Sequence, residues 1–144
     1  MRRFYYLAVI TFSAGALLLS CSKVGSAADD DNPNAIDEND NVFPVITVTK
    51  PAANQVYTSG DSIVVEGKVT DEKKMYKGKV QIKNDANNFV MAENYYETHF
   101  SLYFNYRLAY KAEVTSPTDF SILLEFQDHG TNISAATIKV KVNP

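Results

Sequence analysis

Tryptophan is absent from this chain, cysteine occurs once and histidine twice. A single cysteine excludes an internal disulfide and any structural zinc site built on several thiolates, so the folded part must be stable by packing alone. Two histidines, with no Gly-x-Ser-x-Gly and no His-Glu-x-x-His run, leave no nucleophile–base pair or metalloprotease signature in view. The carboxylates are scattered, with no pair at a spacing that strand geometry would unite. The expectation is a protein that is not an enzyme. His99 falls on the outward face of a long alternating run and reads as a surface strand residue.

An excess of positive charge is also missing. The net formal charge is −3, and six acids (Asp29, Asp30, Asp31, Asp37, Glu38 and Asp40) fall in one twelve-residue window. From Asn41 onward eleven acids balance eleven Lys and Arg. A neutral folded part excludes nucleic acid as a partner, because phosphate binding requires a local cationic excess.

One long apolar run is present, at the N-terminus. Arg2 and Arg3 precede Phe4 to Leu19, which is interrupted only by Thr11, Ser13 and Gly15. This length suits a signal peptide and is short for a spanning helix. The run closes on Leu18-Leu19-Ser20-Cys21, which resembles a lipobox: an aliphatic residue three before the cysteine and a small residue immediately before it. The resemblance implies cleavage after residue 20 and lipidation of Cys21, with several acyl chains giving durable membrane attachment. The expected address is the bacterial outer membrane, facing either the periplasm or the cell surface. Asp29-Asp30-Asp31 resembles the acidic export signal that follows the lipidated cysteine in surface lipoproteins of Bacteroidota, and it also reads as a solvated spacer. The expected organisation is a signal peptide at 1–20, a lipidated cysteine with a disordered acidic linker at 21–42, and a folded domain at 43–144. A disordered linker of this length has a root-mean-square span of about 25 Å.

Beyond Phe43 the pattern acquires a period of two. Ile46 and Val48 alternate with threonines up to Pro51. Ile63, Val65, Gly67 and Val69 alternate with more polar positions. Gly78, Val80 and Ile82 alternate with lysines. Residues 89–97 are compatible with a short helix or a strand and are taken as a strand. The longest alternation, 99–111, puts Phe100, Leu102, Phe104, Tyr106, Leu108 and Tyr110 on one face. Phe120, Ile122, Leu124 and Phe126 follow, then Ala136, Ile138, Val140 and Val142. About seven short strands in about one hundred residues, separated by Gly, Asp, Asn and Pro turns, predict an all-β, immunoglobulin-like antiparallel sandwich.

Two stretches carry a more specific likeness. Pro44-x-Ile46-x-Val48-x-x-Pro51 followed by Tyr57-x-x-Gly60-Asp61-x-Ile63-x-Val65-x-Gly67-x-Val69-x-Asp71 resembles the opening of bacterial Ig-like domains. Phe120 through Asp128-x-Gly130-x-Asn132 to the Lys-Val-Lys-Val strand resembles their end. The whole is similar to small Ig-like lipoproteins of Bacteroidota. That likeness implies a fold and an address, and no activity.

Several constellations follow from this layout. The loops after the second strand and before the last share one end of such a sandwich. They would gather Asp71, Glu72, Asp128, His129 and Asn132, oxygen-rich enough for Ca²⁺ or, equally, ordinary turn chemistry. Seven aromatics crowd 95–110. Of these Tyr95 and Tyr96, with Tyr103 and Arg107, would suit a sugar ring or a protein hot spot if exposed. Lys77, Lys79 and Lys83 form a basic stripe, read as a solvated face or edge protection. Asp61-Ser62-Ile63 resembles the O-glycosylation acceptor of Bacteroidota, with Ser62 as the modified residue. The functional expectation is a membrane-anchored, non-catalytic Ig-like module for binding or adhesion. A carbohydrate-binding accessory lipoprotein and an assembly subunit that uses an edge strand stand as alternatives.

Overall fold

The structure, a computed structural model, describes residues 32–99 and 101–144. The expected signal peptide at 1–20, Cys21, the Asp29–Asp31 run and Phe100 lie outside the described residues. Among those described there are eight strands and no helix. They are β1 (Val45–Lys50), β2 (Val56–Thr58), β3 (Ser62–Thr70), β4 (Met75–Asn84), β5 (Val90–Glu97), β6 (Tyr103–Lys111), β7 (Thr118–Asp128) and β8 (Ile133–Asn143). A three-stranded sheet in the order β1-β3-β6 faces a five-stranded sheet in the order β2-β8-β7-β4-β5. The chain crosses between sheets after β1, β2, β3, β5 and β6, which makes this a sandwich of the immunoglobulin-like kind.

Alternation explains the core. The buried side chains are Ile63, Val65 and Val69 on β3, Met75, Val80 and Ile82 on β4, Tyr106 and Leu108 on β6, Phe120, Ile122, Leu124 and Phe126 on β7, and Val140 and Val142 on β8. Each such side chain contributes roughly 1.5–3 kcal/mol through removal from water. Two glycines make room for rings from neighbouring strands. A Cβ on Gly78 would lie 2.1 Å from the Phe126 ring, and one on Gly67 would lie 2.2 Å from both the Tyr106 hydroxyl and the Thr47 carbonyl oxygen. Phe126 therefore packs at 5.2 Å from Tyr106 and 5.8 Å from Phe104, in the tilted and edge-on geometries aromatic rings favour.

Four differences from expectation have physical causes. There are eight strands, because Val56–Thr58 pairs with β8 over three residues, and this pair is parallel in an otherwise antiparallel fold. Residues 32–42 were expected in the disordered linker, yet they hydrogen-bond to the domain: Asp37 N–H donates to the His129 carbonyl at 2.9 Å, and Asp40 is 4% exposed. The strand expected from His99 begins only at Tyr103, so His99 lies in the β5–β6 connection and Leu102 is 53% exposed. The lysine stripe lies on β4, an inner strand paired on both sides, so it does not protect an edge.

Candidate functional site

One end of the sandwich collects the start of β1, the β3–β4 turn, the β5–β6 connection and the β7–β8 turn. Val45 pairs with Thr70, and Thr70 with Tyr103, which fixes that end of the three-stranded sheet. Met75 pairs with Asp128 on the other sheet, and Asp71 N–H donates to the Leu102 carbonyl at 2.9 Å.

Asp71 and Asp128 meet there, as their loop positions required. The third member is Asp40, from the segment before β1, and not Glu72, which is exposed. One carboxylate oxygen from each of Asp40, Asp71 and Asp128 lies within 4.8 Å of the others. All three residues are nearly out of water, at 4%, 8% and 0% exposure. Asp71 Oδ1 accepts from Lys73 N–H at 2.8 Å, and Asp40 Oδ1 accepts from Val42 N–H at 3.1 Å. Their second oxygens, Asp71 Oδ2 and Asp40 Oδ2, are buried without a hydrogen-bond partner. Burial, then the charges of Asp128, Asp40 and Glu72, push the Asp71 carboxyl above its usual range, although the Lys73 amide opposes this.

Asn132 organises the group through its N–H donors. Its Nδ2 donates to Asp128 Oδ2 at 2.9 Å and to the carbonyls of Asp40 and Val42 at 3.0 Å each, while its backbone N–H donates to Asp128 Oδ1 at 2.8 Å. Thr131 just before it adopts φ of +67°. Gly130 leaves the space into which Asp40 fits, since a Cβ there would stand 2.6 Å from Asp40 Cβ. His129, on the same turn, meets the Ala35 carbonyl through Nδ1 at 3.0 Å, and its ring lies tilted against those of Tyr76 at 4.9 Å and His99 at 5.5 Å. Lys73 pairs with Asp37 at 2.9 Å.

The aromatic quartet does not form one platform. On β6 the buried Tyr106 and Leu108 face inward, so Tyr103 and Arg107 face out from the three-stranded sheet. There the Lys68 ammonium lies 4.3 Å from the centre of the Tyr103 ring, and Arg107 Nε donates to Glu66 Oε1 at 3.0 Å. Tyr96 points toward the core, 4.8 Å from the Phe104 ring, and its hydroxyl donates to the Arg107 carbonyl at 2.8 Å. Tyr95, 70% exposed, faces out from the five-stranded sheet beside a shallow groove lined by Lys77, Lys79, Glu125 and Gln127. Ser62 is exposed at the start of β3.

No protein-family model matches the chain, and no curated protein does either. Solved structures resemble it distantly. CopC from Methylosinus trichosporium OB3b is 11% identical, with 72% of this chain and 94% of that one covered and a TM-score of 0.45. The fibronectin(III)-like modules of CbhA from Clostridium thermocellum are 14% identical, covering 68% and 94% with a TM-score of 0.43. The superoxide reductase (neelaredoxin) of Ignicoccus hospitalis is 11% identical, covering 70% and 80% with a TM-score of 0.46.

Proposed function

We propose that this chain is a membrane-tethered, non-catalytic binding module of the bacterial envelope that receives a protein partner by strand addition on β5. The observation that carries this reading is the open edge of the five-stranded sheet. β5 pairs with β4 alone. The neighbouring edge, β6, is closed at Arg107, whose backbone is bonded on both its N–H and C=O by side chains of β5. β5 itself is eight residues long, contains neither Pro nor Lys, carries Glu93 and Glu97, and exposes Val90, Met91 and Tyr95 (47%, 37% and 70%), with Phe89 just before it at 67%. Natural edges are normally blunted by Pro, Lys or a covering element, and a long edge left open with exposed apolar side chains is a template for another strand.

The test is site-directed photo-crosslinking in whole cells of the source organism, with the crosslinker at position 91 or 95 and, as control, at exposed Asn105. A discrete product from 91 and 95, lost in Met91→Lys and Tyr95→Lys variants of unchanged melting temperature, is the expected result. Equal labelling from 105, or no product, removes the reading. Membrane attachment has its own check: palmitate should label the parent chain and not Cys21→Ser.

A further inference from the structure

Three carboxylates from three distant stretches of chain are packed together, nearly dry, at one end of the fold. Like charges so placed repel strongly in a low-dielectric surrounding, and a buried carboxylate oxygen without a donor is costly. The Lys73 ammonium is hydrogen-bonded to Asp37, outside the group. Asn132 satisfies both oxygens of Asp128 but reaches only the backbone of Asp40. Asp40 Oδ2 and Asp71 Oδ2 therefore have no hydrogen-bond donor among the described residues, and the Lys73 charge reaches their carboxylates only through space. One oxygen from each of the three carboxylates lies within 4.8 Å of the others, which is what ligand oxygens at 2.3–2.6 Å from one ion require.

We propose that Asp40, Asp71 and Asp128 hold one hard divalent cation of the calcium type, and that this ion fastens the segment 37–42 to the end of the sandwich. The donor set is oxygen only, which selects calcium, magnesium or manganese over softer metals. Three carboxylates are fewer than the six to eight oxygens calcium takes, so water or main-chain carbonyls complete the sphere. Asn132 is a positioning residue: it fixes the Asp128 carboxylate and holds the Asp40 backbone against the β7–β8 turn. Because Asp40 belongs to the segment before β1, ion binding and docking of that segment are one event. The proposal is independent of any partner on β5.

The test uses the full-length chain in detergent, stripped of metal with EDTA. Calcium at a hundredfold excess over its Kd should raise Tm by roughly 10 °C, and it should slow amide exchange selectively at 37–42. Asp40→Asn and Asp71→Asn keep the shape of the side chain and remove its charge. Each should weaken calcium binding about tenfold or more, with Tm in EDTA held or raised. Should Asp71→Asn fail to fold, Asp40→Asn and the exchange at 37–42 decide alone. The proposal is overturned if calcium, magnesium and manganese all leave Tm unmoved. It is equally overturned by a calcium shift undiminished in the foldable variants, or by exchange at 37–42 that ignores the ion.

Discussion

The phenol of Tyr106, on β6, donates to the carbonyl of Thr47, on β1, at 3.0 Å, spanning the central strand of its sheet. The span is open because Gly67 lies between them without a side chain. Burial, and secondarily Tyr96, push the Tyr106 hydroxyl up to about 12, so it remains a donor throughout the working pH range. Tyr106→Phe should cost about 1 kcal/mol, the net worth of one hydrogen bond. Gly67→Ala should cost more, about 1–3 kcal/mol, because its Cβ meets a backbone oxygen that cannot step aside. Urea unfolding of both variants measures the order; a Gly67→Ala protein as stable as the parent would contradict it.

Gly130→Ala should loosen the 32–42 segment selectively. The added methyl would sit 2.6 Å from Asp40 Cβ and 2.9 Å from the Asp40 carbonyl oxygen. The expected outcome is faster proteolysis within 32–42, with the β7–β8 amides still protected, because those two strands pair with each other along nearly their whole length.

Tyr96→Phe should open the β6 edge at one residue. The Tyr96 hydroxyl donates to the Arg107 carbonyl at 2.8 Å and accepts from the Arg107 N–H at 3.2 Å. Its loss should cost about 1 kcal/mol, and hydrogen exchange should accelerate at Arg107 more than at its neighbours.

Acid should weaken the Asp85–Lys139 ion pair at the β4–β5 turn. Burial alone would raise the Asp85 carboxyl, but hydrogen bonds from Lys139 and Ser121, with the Lys139 and Lys83 charges, outweigh it and hold it below its ordinary 3.8. The folded value is thus lower than the unfolded one. The stabilisation is complete above the unfolded value and is lost as pH falls through the folded one. Asp85→Asn should therefore lower stability by about 1 kcal/mol at pH 7, and the gap should close below pH 3.8. A gap constant from neutral pH to strong acid would show that the charge plays no part.

Sequence legibility followed the range of the forces involved. The inward residues of β3, β4, β7 and β8 were readable because a strand repeats every two residues and one face is buried, a constraint written locally. β2 was not, because three residues carry no period and its pairing is set by Lys141–Asn143, far along the chain. In the candidate site, Asp71 and Asp128 followed from the order of the strands. Asp40 stood in an acidic window whose composition reads as solvated linker, and the groups that hold it inside, Asn132 among them, lie up to ninety-two residues away. Glu72 adjoins Asp71 but faces solvent, since the turn sends successive side chains in different directions. Tyr95 and Tyr103 are close in sequence yet fall on opposite outer faces, because the chain changes sheets between them.

The glycine at 78 also limits how this protein can drift in evolution. Gly78 on β4 and Phe126 on β7 are cross-strand partners, and the ring occupies the volume a Cβ would take. A lineage that gains a methyl at 78 must first, or at once, lose bulk at 126, so Gly78→Ala should be harmful on the present background and tolerated beside Phe126→Leu. The two positions would change as a pair, and their separate costs would not add.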